Sequence, residues 1–73
     1  MIRVHAPLKR AAIKSLLDGN TIDGHTFTFI KEDGIKLYFS SSQDEQKAVS
    51  VAKKAIKSTE YGPALFFMVE YVD

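Results

Sequence analysis

Two runs that alternate apolar and polar residues, Thr26-Phe27-Thr28-Phe29-Ile30 and Ile35-Lys36-Leu37-Tyr38-Phe39, stand on either side of Asp33-Gly34. Asp-Gly between runs of period two is a strong hairpin signal, because both central residues of a type I′ turn need positive φ. The spacing predicts a hairpin across this segment, with Phe27 and Phe29 on one face together with Ile35, Leu37 and Phe39. A second Asp-Gly, Asp23-Gly24, follows Ile22 and predicts a smaller turn just before the hairpin.

The segments around the hairpin limit how its apolar face is covered. Ile2 and Val4 alternate with Arg3 and His5, a short strand that ends at Pro7. From Leu8 the period becomes helical: Leu8, Ala12, Ile13, Leu16 and Leu17 gather on one side, and Gly19 suits the left-handed position that stops a helix. Pro7 at the first helical position leaves Ala6 as N-cap. Ser42-Gln43-Asp44-Glu45 fits a capping box. The helix after it sets Ala48, Val49, Ala52, Ala55 and Ile56 opposite Lys47, Ser50, Lys53, Lys54 and Lys57, and Gly62-Pro63 ends it. Ala64 to Val72 is rich in aromatic and β-branched residues and reads as a last strand.

The order strand, helix, strand, strand, helix, strand predicts an α+β domain spanning 1–73. Its expected fold is the ferredoxin-like split βαβ (βαββαβ): a four-stranded antiparallel sheet, first and third strands central, with two helices on one face. The competing arrangement is a three-stranded meander with a loosely attached N-terminal segment. A domain of 73 residues buries only about 60% of its extended area, and without cysteine it has no disulfide framework or Cys-based zinc site. No apolar run reaches membrane-span length and no signal-peptide pattern opens the chain, so the expectation is a cytoplasmic protein with no membrane association.

Where the apolar residues go carries the functional reading. Leu65-Phe66-Phe67-Met68-Val69 is continuously apolar, a pattern suited to a strand covered on both sides. Here the strand lies at an edge, and the two helices cover one side only. Alternation sends Leu65, Phe67, Val69 and Tyr71 under the helices and leaves Phe66, Met68 and Val72 on the open face, joined by Tyr38. Large exposed apolar patches and unprotected edges mark interaction sites. The leading expectation is a non-enzymatic interaction or adaptor module that binds a protein partner, or itself as a homodimer, through Tyr38, Phe66, Met68 and Val72.

The alternative is phosphate-backbone binding to nucleic acid. The first helix has Lys9, Arg10 and Lys14 near its start and Asp18 at its end, the reverse of what the helix dipole favours. With Arg3, His5 and Lys36 these form a candidate anion or nucleic-acid surface. Net charge is only +1, which weighs against a dedicated nucleic-acid binder. The topology resembles that of RNA-recognition domains, whose basic-Gly-aromatic-Gly-aromatic run is absent from Ile35-Lys36-Leu37-Tyr38-Phe39. It also resembles acylphosphatase, but His5-Ala6-Pro7-Leu8 stands where a glycine-rich phosphate loop is needed. No Gly-x-Ser-x-Gly, His-Glu-x-x-His or calcium-loop spacing occurs. Asp23 with His25 lacks a third ligand and reads as turn chemistry. No catalytic residue, metal or cofactor is expected.

Overall fold

The computed structural model describes residues 1–72. Its elements are β1 (Ile2–His5), α1 (Arg10–Leu17), β2 (Thr21–Ile22), β3 (His25–Asp33), β4 (Lys36–Ser41), α2 (Glu45–Lys57), a 3-10 turn (Gly62–Ala64) and β5 (Met68–Tyr71). They build a small α+β fold around one antiparallel sheet of order β2-β3-β4-β1-β5, curled into a half-barrel. This corrects the expected four-stranded ferredoxin-like sheet, and two local features account for the difference.

The first is the Asp23-Gly24 turn. Both residues have positive φ, 50° and 81°, as a type I′ turn requires, and the turn folds Thr21–Ile22 back onto His25–Thr26. The hairpin's first strand is therefore no longer an edge. The second is a bulge in β3 between Phe29 and Lys31, which bends the strand and increases its twist. The expected I′ turn at Asp33-Gly34 is also displaced by one residue. Asp33 pairs with Lys36, so Gly34 and Ile35 are the central residues; only Gly34 has positive φ, 61°, the pattern of a type II′ turn. Ile35 is accordingly an exposed turn residue and not part of the core.

β1 lies inside the sheet, with Val4 opposite Leu37 on β4 and opposite Val69 on β5, which overturns the loosely attached N-terminal segment. Ile2, Val4, Phe27, Leu37, Phe39 and Val69 join Ile13 and Leu17 of α1 and Ala48, Ala52 and Ile56 of α2 in one core cluster. The helix starts differ from expectation. α1 begins at Arg10 after Lys9, which is left-handed at φ 64° and supplies no side-chain cap. Leu8 therefore precedes the helix and is 69% exposed. α2 is capped by Asp44, whose Oδ1 accepts from the amides of Gln46 (3.0 Å) and Lys47 (3.4 Å). The Ser42 hydroxyl instead accepts from the Thr26 amide at 2.9 Å.

Candidate functional site

β5 ends the sheet, and no described strand lies beyond it. Its geometry follows from the pairing with β1. The Met1 amine and Val72 amide each bond the other residue's carbonyl, both at 2.9 Å. Antiparallel strands alternate bonded and non-bonded pairs. Arg3/Glu70 and His5/Met68 are then bonded pairs and Val4/Val69 a non-bonded one, so the backbone N–H and C=O of Val69 point outward, toward the open edge.

The expected strand over 64–72 is shorter in the structure. Gly62 starts the 3-10 turn, followed by Pro63, and is wedged against the C-terminal end of α2, where a Cβ would meet the Ile56 carbonyl oxygen at 2.2 Å. The chain is thereby held against the helix until Met68. Phe66 is 84% exposed, but it does not share the open sheet face with Met68. With Pro63, Leu65 and Phe67 it lines a groove of about 320 Å³ bordered by Lys53 and Lys57 of α2. Met68, 55% exposed, lies on the other side of the edge, opposite His5. Phe66 and Met68 thus flank the edge from its two sides. Val72 is half-buried beside Met1.

The open face is polar where an apolar patch was expected. One register row crosses four strands: Lys31 pairs with Tyr38, Tyr38 with Arg3, and Arg3 with Glu70. The Lys31 ammonium lies 4.9 Å from the Tyr38 ring centre and the Arg3 guanidinium 6.0 Å. These two cations cover the tyrosine, which is only 8% exposed. Tyr38 is an element of the sheet and not an available anchor. Glu70 Oε2 accepts from Arg3 Nε at 2.9 Å and from His5 Nε2. Those bonds, the one from Arg3 foremost, hold the Glu70 carboxyl below the usual carboxylate range.

The six residues of the expected anion or nucleic-acid surface divide into two groups. Arg3, His5 and Lys36 are on β1 and β4, with their side chains on the open face. Arg10 and Lys14 belong to α1, which packs on β3 and α2, and Lys9 is the left-handed residue just before it. Arg10 is occupied locally: Nη1 donates to the carbonyls of Ala6 (3.0 Å) and Pro7 (2.7 Å), and Nε donates to Glu32 (3.3 Å). The Lys14 ammonium sits 4.2 Å from the Phe29 ring centre. Asp18, which the helix dipole disfavours, has a partner on the sheet: Oδ1 accepts from the Phe29 amide at 2.9 Å beside the bulge. His25 is buried, and its Nδ1 shares a 3.0 Å hydrogen bond with Ser41 Oγ. No three His, Asp or Glu side chains group as metal ligands among the described residues, and no described helix is long and apolar enough to cross a membrane.

The groove along Lys53 and Lys57 escapes sequence reading, because the alternation rule places Phe66 on the opposite side. The signal pointing to it is Gly62-Pro63, which interrupts the strand and keeps residues 62–67 beside α2. Comparison of the chain with protein-family models, with curated proteins and with solved structures gives no match.

Proposed function

We propose that this chain is a non-enzymatic interaction module that docks a protein segment along the edge of β5. The observation that carries this reading is the pair of exposed side chains, Phe66 and Met68, on the two sides of an edge whose Val69 backbone groups point outward. β5 is short, Met68–Tyr71, but outward-pointing backbone N–H and C=O groups on a sheet edge are a template for strand addition, and large side chains beside it supply the anchors. Phosphate-backbone binding has less support: the basic residues are split between sheet and α1, Tyr38 is covered, and Arg10 is held by backbone carbonyls and Glu32.

Replacing both anchors, Phe66→Ser with Met68→Ser, tests the reading. Exposed positions usually change stability by about 0.5 kcal/mol or less, so the thermal midpoint should stay close to wild type. Association, read by sedimentation of the chain and by capture of a partner from its native cell, should be lost. A wild-type chain that is monomeric and captures nothing overturns the proposal, as does a double variant that unfolds.

A further inference from the structure

The groove beside Phe66 indicates what kind of segment the edge accepts. Lys53 and Lys57 are one helical turn apart, both exposed, on the flank of α2 next to residues 63–67. Neither makes an ion pair with a described residue. A strand added to β5 would extend the sheet past this flank. One of its faces would meet the two ammonium groups and the Phe66 ring, and its other face would lie beside Met68. Successive strand residues alternate between faces, so this asymmetry selects a sequence pattern and not merely an overall charge.

Building on the docking role proposed above, we infer that the β5 edge binds an extended segment of a partner protein in which acidic residues alternate with apolar ones. The acids face Lys53 and Lys57, and the apolar residues lie over Met68. A second copy of this chain fits less well. The described part of its own β5 offers a single carboxylate, Glu70, which Arg3 and His5 already hold, so β5-to-β5 pairing would leave both lysines unmatched.

Two synthetic peptides of alternating residues, one glutamate-valine and one lysine-valine, provide the test against the full chain by amide chemical-shift mapping. The glutamate peptide should shift Lys53, Lys57, Phe66 and Val69, and the lysine peptide should not. Binding should weaken as salt rises. Lys53→Glu with Lys57→Glu should weaken it about tenfold, as expected for two exposed ion pairs replaced by repulsion. Methylating alternate amides of the glutamate peptide in one of the two phases should abolish binding by removing the ladder donors, with the protein left unchanged. Equal shifts from both peptides overturn the acidic preference and leave edge docking standing. A wild-type dimer that the Phe66→Ser, Met68→Ser variant dissociates, with no response to either peptide, makes a second copy the occupant and again overturns only the preference. A monomeric chain that neither peptide shifts overturns the preference, and overturns docking with it when the chain also captures nothing from its native cell.

Discussion

Gly62 is constrained by space and not by backbone conformation. Its φ is outside the left-handed region that Gly19, Gly24 and Gly34 adopt, but a Cβ would lie 2.2 Å from the Ile56 carbonyl oxygen and 2.7 Å from Lys57 Cα. Both neighbours are backbone, so an added methyl cannot be relieved by a rotamer change. Gly62→Ala should destabilise the chain by about 1–3 kcal/mol, the range for overpacking, as measured by denaturant unfolding. It should also shift the amides of 63–67, because the turn is what keeps them beside α2. Tyr38 shows the converse, a side chain on the uncovered face that is buried by its neighbours. Alternation correctly separates it from Leu37 and Phe39, but its burial depends on Arg3 and Lys31 arriving from two other strands, which one strand's pattern does not encode.

At the level of elements, the regular segments were legible and the irregular ones were not. Ile2/Val4, the helix over Glu45–Lys57 and the paired runs around Asp33-Gly34 carry enough periods to be read. A two-residue strand such as Thr21–Ile22 has no period at all, and its only trace is Asp23-Gly24. The apolar run from Leu65 reads as strand on side-chain type, whereas Gly62 and Pro63 decide the backbone path. At α2 the cap fell two residues later than the Ser42 box suggests, because the Ser42 hydroxyl is engaged by β3. Asp44→Ala should therefore cost about 1 kcal/mol and expose the Gln46 and Lys47 amides to hydrogen exchange, while Ser42→Ala should deprotect the Thr26 amide instead. Of the candidate site, Phe66 and Met68 were legible as exposed apolar residues. Their separation onto two sides of the edge was not, nor was the role of Lys53 and Lys57.

Across the whole molecule, two carboxylates link distant parts of the chain. Glu70 on β5 holds Arg3 and His5 of β1. Glu45 accepts from the Met1 amine and, at 3.1 Å, from the Ser41 amide, and the amine contact above all lowers its pKa. A carboxyl whose folded pKa is depressed stabilises the fold while ionised. That contribution is complete above the ordinary carboxylate value of about 4.3 and disappears as pH falls through the lower folded value. Thermal midpoints should thus drop on acidification below about pH 5, and Glu70→Gln should flatten that acid limb. On the other side of the sheet, where the two-residue β2 stops short, the flank of β3 is covered by the chain after α1: Asn20, Gly19 and the Asp18 carboxylate all bond the β3 backbone at Phe27 or Phe29.

The position of β1 between β4 and β5 has a consequence for the order of events during synthesis. β1 precedes the other strands of this sheet in the chain yet is among the last to be completed, because Arg3 must wait for Glu70, 67 residues downstream. The hairpins at Asp23-Gly24 and Gly34-Ile35 close over short separations and can form on the nascent chain. Ile2 and Val4 gain their second flank only when β5 emerges, so a ribosome stalled before Met68 would hold a half-formed sheet with β1 exposed along one side.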